Sequence, residues 1–204
     1  MSFFLVGLSG PSCSGKSSMA DILDQSGFGL RVRLDGYYLG LEGAHKIDDE
    51  TFDWEDIRSF DAEGAARAIE HLKNGEIATI KKYDRKFHRP SGTEEVDPTV
   101  GVWRCIVVDS LFCLEDPLFP LFDEVIHLHI DEDLLLRRRR ERQGRGPDGQ
   151  YLYADDYHAR CMRPSIERMT RKALERGVNP IDATKLNQMD VIVQVYDRIK
   201  DAMR

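Results

Sequence analysis

Apolar residues in this chain follow two rhythms. Short unbroken runs have the length and β-branched content of strands buried on both faces: Phe3 to Leu8, Leu30 to Leu34, Arg104 to Asp109 through Cys105-Ile106-Val107-Val108, and Glu124 to Ile130. Between them apolar positions recur at helical spacing. Met19, Ile22 and Leu23 mark one helix over Lys16 to Asp24, and the same pattern predicts helices over Asp61 to Asn74, Asp131 to Arg142, Ala154 to Arg176 and Leu186 to Met203. Asn74-Gly75 and Gly177 supply stop signals. Alternating buried strands and helices predict an α/β fold, a doubly wound parallel sheet of about five strands with helices on both faces. Between Gly75 and Trp103 the rhythm changes to Ile77 to Tyr83 and Val100 to Trp103, joined by the polar Arg89-Pro90-Ser91-Gly92-Thr93. This predicts a β-hairpin insert over 75–103, a lid or wall beside the main sheet. Gln143 to Gly149 reads as a loop, and no internal repeat or linker interrupts a single domain over 1–204.

One segment adds chemistry to this frame. Gly10-Pro-Ser-Cys-Ser-Gly15-Lys16-Ser17 fits the phosphate-loop pattern G-x-x-x-x-G-K-[ST], between a strand and a helix as that motif requires. Glycines let backbone N–H groups turn inward around phosphate oxygens, and the helix N-terminus adds partial positive charge. Lys16 reaches the β/γ-phosphates and the Ser17 hydroxyl ligates Mg²⁺. Gly10, Ser12, Ser14, Gly15, Lys16, Ser17 and Ser18 are therefore the candidate nucleotide ligands, and the ligand is a nucleoside triphosphate.

Charge and cysteine usage narrow the partners. A net charge of -7 over 204 residues argues against a general nucleic-acid or membrane-surface binder. Ser2-Phe3-Phe4-Leu5 is too short for a secretion-signal core, and no apolar stretch approaches the roughly 18 residues of a membrane span. A cytoplasmic protein is expected. Cys13, Cys105, Cys113 and Cys161 form neither a C-x-x-C pair nor a cluster with histidines, so buried free thiols are expected in place of disulfides or zinc.

Three further features favour a small-molecule kinase over other phosphate-loop proteins. Asp35, in Arg33-Leu34-Asp35-Gly36-Tyr37-Tyr38, stands at the end of the second strand, where a carboxylate can take the proton of an attacking alcohol and hold Mg²⁺ through water. A turn aspartate before Gly36 is the plainer alternative. Thr51-Phe52-Asp53-Trp54-Glu55-Asp56 lies in a long connection; there an aromatic ring can cover a base while a carboxylate accepts two hydrogen bonds from a vicinal diol. In Leu136 to Arg142, Arg138 and Arg142 share a helix face at i,i+4 and can clamp migrating phosphoryl charge. Asp109 ends the Ile106-Val107-Val108 strand as a Walker-B acid would, a third candidate for the metal beside Ser17 and Asp35. His127 and His129 alternate with apolar residues along a strand and are assigned to packing.

Taken in order, Gly10 to Ser17, Leu34-Asp35-Gly36-Tyr37-Tyr38, Phe52-Asp53, Ile80-Lys81-Lys82-Tyr83-Asp84, Val107-Val108-Asp109, and Arg138-Arg139 with Arg142 resemble the uridine kinase-like branch of phosphate-loop kinases. That branch includes uridine/cytidine kinases, nicotinamide riboside kinases, phosphoribulokinase and bacterial pantothenate kinase. The resemblance implies transfer of the γ-phosphoryl of ATP, with Mg²⁺, to an alcohol, most simply the 5′-OH of a ribonucleoside. It implies Asp35 as base, Asp53 as the ribose-binding acid, and Arg138, Arg139 and Arg142 as arginines of a lid over 138–150 that approach the phosphates, with Arg139 an ATP ligand. Lys16, Asp35, Arg138 and Arg142 are then catalytic, and Asp35, Tyr38, Phe52, Asp53, Tyr83 and His88 bind substrate. Two departures stand out. Asp109-Ser110 replaces the family's Glu-Gly, and the residues around His88 differ. Pro147 to Tyr151 and Ile181 to Lys185 are closer to nicotinamide riboside kinases, so the acceptor stays open between nucleosides, with pantothenate or a sugar phosphate as the alternative.

Two other classes compete. A GTPase or nucleotide switch needs a base-reading N-K-x-D element, and Asn179-Pro180-Ile181-Asp182 lacks its lysine. A non-catalytic nucleotide-binding module would leave Asp35 and Asp53 as surface acids. Homo-oligomerisation is left open by the sequence.

Overall fold

Residues 2–84, 87–143 and 155–204 are described by the computed structural model. The chain runs through β1 (Leu5–Ser9), α1 (Lys16–Gln25), β2 (Gly29–Arg33), a 3-10 turn (Asp35–Tyr37), α2 (Gly40–Gly43), α3 (Ala62–Lys73), β3 (Ala78–Asp84) and β4 (Arg89–Val96). It continues through β5 (Cys105–Asp109), β6 (Glu124–His129), α4 (Glu132–Gln143), α5 (Asp155–Tyr157), a π-helical turn (His158–Met162), α6 (Arg163–Glu175), β7 (Ile181–Asp182) and α7 (Gln188–Ala202). The main sheet has five strands, all parallel, in the order β2-β5-β1-β6-β7.

Alternation hidden inside the apolar runs sorts the core into two layers. Along β1, Leu5 packs with Val32, Ile69, Leu72 and Ile106 on the face covered by α3 and α6. Its neighbours Val6 and Leu8 join Met19, Leu23, Val107, Val195 and Ile199 on the face covered by α1 and α7. Strands that are apolar on both sides must sit between two helical layers, which is why these runs read as unbroken. The helix limits are set by local chemistry. Asp61 accepts a hydrogen bond from the Gly64 N–H at 2.8 Å and caps α3, and Asn187 caps α7 through the Asp190 N–H at 2.9 Å.

Two expectations needed correction. The hairpin pairs β3 with β4, so the polar segment from Arg89, expected as a connecting loop, is itself the second strand. Val100 and Val102 are instead exposed outside it, at 82% and 97%. The two-stranded sheet leaves β4 exposed along nearly its whole length, so backbone pairing holds it and no hydrophobic pattern marks it. The helix expected over Ala154 to Arg176 is broken by the π-helical turn, just ahead of Pro164 at the start of α6. Proline has no N–H for the helical ladder and crowds the carbonyl four residues back, so the winding loosens there. A fifth strand, β7, had no apolar run to announce it; with two residues it closes the sheet edge beside β6. No helix among the described residues is long and apolar enough to cross a membrane.

Parallel register carries the loops to one end. Leu8 pairs with Asp109, Arg33 with Asp109 and Ser9 with His127, so the segments after β1, β2, β5 and β6 leave the sheet at one level. The strand order reverses about β1, where ligands of doubly wound sheets bind.

Candidate active site

The loop after β1 opens a cavity of about 750 Å³. At Gly10 the backbone has φ 140°, and a Cβ there would stand 2.6 Å from the Leu128 carbonyl oxygen and 2.9 Å from Ser14 Oγ. Only glycine lets the loop turn against β6. Gly10 does not itself line the cavity, so its part is to shape the loop; Ser12, Ser14, Gly15, Lys16, Ser17 and Ser18 do line it. Gly15, in the left-handed region ahead of α1, has no side chain to cap that helix, and Lys16, Ser17 and Ser18 of its first turn line the cavity. Lys16 is buried and donates to the Pro11 carbonyl at 3.1 Å, while Ser14 Oγ is buried without a hydrogen-bond partner among the described residues. Cys13 is partly exposed with φ 72°, unlike the buried thiols Cys105, Cys113 and Cys161.

Two acids border the loop. Asp35 opens the 3-10 turn after β2 and lines the cavity. Asp109 lines it from the end of β5, 7% exposed, with Oδ2 accepting from Arg31 Nη2 at 2.6 Å. Ser17, Asp35 and Asp109 offer hard oxygen donors of the kind Mg²⁺ prefers. No group of three or more His, Cys, Asp or Glu that could hold a metal ion occurs among the described residues. Below the loop, His127 Nδ1 lies 3.3 Å from Ser9 Oγ. Burial, then Lys16, then His129, lower its pKa to about 4, so it stays neutral at ordinary pH. This agrees with a packing role.

An aromatic wall faces the acids. Tyr38 meets Trp54 edge-on at 6.0 Å and lies tilted by 48° against Tyr83 at 5.8 Å, and Trp54 stacks on His88 at 5.1 Å with an 18° tilt. Tyr38, Tyr83 and His88 were all expected here, and all three line the cavity. Phe52 and Asp53 do not. Phe52 stacks behind Trp54 at 5.9 Å, and Asp53 turns its carboxylate to the Glu55 N–H at 3.0 Å. The next two residues take the lining positions.

Of those two, Glu55 is the more consequential. It is 6% exposed, and its carboxylate stands 3.9 Å from Arg139. Burial raises its pKa, while Arg139, Lys16 and Arg168 oppose the rise and Asp53 adds to it. The Glu55 carbonyl accepts from Ser165 Oγ at 3.4 Å and from Arg168 Nη2 at 2.5 Å, which fastens this loop to α6. Nothing in the sequence separates this glutamate from its acidic neighbours; only its burial does.

The arginines arrive from α4. Arg138 Nη1 donates to the Cys13 carbonyl at 3.4 Å and Arg142 Nη1 approaches Cys13 Sγ at 3.9 Å, so the pair expected to share a face reaches one point of the phosphate loop. Arg139 points the other way, its guanidinium 5.5 Å over the Tyr157 ring. All three line the cavity. The remainder of the expected lid, 144–150, and Pro147 to Tyr151 lie outside the described residues.

No family model matches the chain. It is 31% identical over 145 residues to uridine kinase-like protein 4 of Arabidopsis thaliana, a match covering 68% of this chain and 30% of that protein. It is 27% identical over 185 residues to the uridine kinase of Mycoplasma genitalium, covering 83% and 82% respectively. Among solved structures, a possible uridine kinase from Bacillus stearothermophilus superposes with a TM-score of 0.53 at 20% identity, over 82% of this chain and 86% of that one. At that identity the likeness is one of fold. The chain spans 30 to 42% of the length of the first Arabidopsis relatives it matches. A parallel five-stranded sheet with a phosphate loop after its central strand defines a phosphate-loop kinase fold. Within that class, the chain belongs to the uridine kinase-like family.

Proposed function

We propose that the protein transfers the γ-phosphoryl of ATP to a hydroxyl, with the 5′-OH of a ribonucleoside as acceptor. The observation that carries this reading is that one cavity is bordered by the phosphate loop, Asp35, an aromatic wall and the arginines of α4. Loop N–H groups and Lys16 hold the β- and γ-phosphates, and Arg138 and Arg142 neutralise charge as the phosphoryl group moves. Ser17, with Asp35 and Asp109 nearby, would hold the Mg²⁺ that accompanies the nucleotide, and that ion would supply further charge neutralisation. Asp35 takes the acceptor's proton. Tyr38, Tyr83 and the His88 ring stacked on Trp54 line the cavity with aromatic surface for a base, and Glu55 supplies a carboxylate to the same lining.

A second reading, an acceptor without a ribose diol such as pantothenate or a sugar phosphate, is favoured by one observation: Asp53 does not line the cavity. The cytoplasm, with its ATP, is the proposed setting for either. The test is ADP release by purified protein with uridine, cytidine, nicotinamide riboside, pantothenate or sugar phosphates added in turn. Release that depends on one of the nucleosides is expected. Release at the same rate without any alcohol would make the protein an ATPase and sink the proposal.

A further inference from the structure

Arg31 has no place in the roles assigned so far, yet its surroundings are those of a built site. It lies in the middle of β2, at the edge of the sheet, and its side chain is 6% exposed. Its guanidinium bridges two carboxylates. Nη2 donates to Asp109 Oδ2 at 2.6 Å, and Nη1 pairs with Asp21 of α1. Asp21 also receives Arg33 at 3.3 Å, and the Arg31 backbone N–H donates to Asp24 Oδ1 at 3.1 Å. Strand β2, strand β5 and helix α1 are thereby tied at one point. That helix begins with Lys16 and Ser17, so the network sets the acid at the end of β5 relative to the helix that carries the phosphate ligands.

Structural cross-bracing alone does not account for this geometry. Asp109 lines the cavity, and while Oδ2 is clamped, Oδ1 takes no hydrogen bond among the described residues. Arg31 Nε is buried without a hydrogen-bond partner among the described residues, so the guanidinium is oriented toward its two carboxylates at the expense of its third donor site. Aspartate is also the shorter acid, and it cannot search for a distant ligand as glutamate can. Clamping one oxygen of a short acid determines where the other can be.

We propose that Arg31 is a positioning residue for Asp109: by holding Oδ2 against β2 and α1, it fixes Oδ1 as the oxygen offered to the magnesium of the bound nucleotide, directly or through its water. The inference rests on the phosphotransfer reading above, and it concerns the metal side of the site, not the acceptor side. Arginine suits this role because its planar fork reaches two carboxylates at once, whereas lysine is a point charge that reaches one.

The experiment is calorimetric titration of ADP into the protein at varied Mg²⁺, with no acceptor present. Arg31→Met is expected to raise the Mg²⁺ concentration needed for half of the metal's enhancement of ADP binding about tenfold, the scale of losing a residue that orients a metal ligand, while metal-free ADP binding stays within about twofold. Arg31→Lys should raise it about threefold, keeping the charge but not the bridge. The double variant Arg31→Met/Asp109→Asn should require no more Mg²⁺ than Asp109→Asn alone, because Arg31 acts through that acid. An unchanged Mg²⁺ requirement in Arg31→Met overturns the proposal, as does an unchanged requirement in Arg31→Lys should the methionine variant not fold. A further loss in the double variant overturns it too. Wild-type protein whose ADP binding ignores Mg²⁺ overturns this inference, as does a metal-dependent wild type whose Arg31 variants keep the wild-type Mg²⁺ requirement; the phosphotransfer reading stands or falls separately, on acceptor-dependent ADP release.

Discussion

Gly36 and Lys81 approach so closely that a Cβ on Gly36 would stand 1.6 Å from the Lys81 carbonyl oxygen. The contact seats strand β3 of the hairpin directly on the 3-10 turn that begins with Asp35. Tyr83, two residues further along that strand, reaches the aromatic wall because of it. The position of the proposed base and that of the acceptor wall are therefore set together, by the absence of one side chain.

Gly36→Ala is expected to push the hairpin off the turn and to destabilise the fold by about 1 to 3 kcal/mol, the range for overpacking. Acceptor KM should rise more than ATP KM, since the phosphate loop is not part of this contact. Denaturant melts with both KM values check it. A variant as stable as the native chain, with both KM values unchanged, would show that the hairpin is not held here.

Asp35→Asn keeps the shape of the turn but cannot accept a proton. Turnover should fall by about 10²- to 10⁴-fold with nucleotide binding little changed, as for loss of a general base. A fall of less than about threefold would make Asp35 a turn residue and move the search for the base to Asp109.

Ribonucleosides should be used at least about 10²-fold better than their 2′-deoxy analogues if a carboxylate reads the ribose hydroxyls, because a site built to hydrogen-bond a hydroxyl rejects the analogue without it. If that carboxylate is Asp53, Asp53→Ala should raise the acceptor KM and leave the ATP KM alone. Equal turnover of ribo- and deoxyribonucleosides would shift the acceptor to a compound without that diol, in keeping with the turn of Asp53 toward the Glu55 N–H.

His127 gives the fold an acid limit. Its pKa is lowered from 6.5 to about 4 chiefly by burial, so folding favours the neutral ring. The stability this confers is complete above pH 6.5 and is lost as pH falls toward 4. Over that window the loss amounts to about 3 kcal/mol. His127→Gln removes the titration, and its unfolding free energy should fall less steeply between pH 6.5 and 4. Parallel pH profiles for variant and native protein would assign acid sensitivity elsewhere.

The sequence by itself determined the local elements of the site. The spacing from Gly10 to Ser17 placed a phosphate loop between a strand and a helix, because glycine conformations and a helix N-terminus are properties of neighbouring residues. Asp35 and Asp109 were legible for the same reason: each ends a strand, and parallel strands deliver their ends to one edge. Arg138 and Arg142 follow from helical periodicity alone.

What only the tertiary structure decided is which side chains meet across the sheet and from loop to helix. Strand β4 carries no apolar alternation and exists through its pairing with β3. Phe52-Asp53-Trp54-Glu55 is one undifferentiated acidic-aromatic segment until folding turns Trp54 and Glu55 inward, with the Glu55 carbonyl fastened to Arg168 on a helix over a hundred residues away. Arg31 looks like a polar interruption of a strand until Asp21 and Asp109 are brought to either side of it. Burial and ion pairing between distant segments depend on packing that no local pattern encodes, since charge is tolerated inside a protein only where another part of the chain neutralises it.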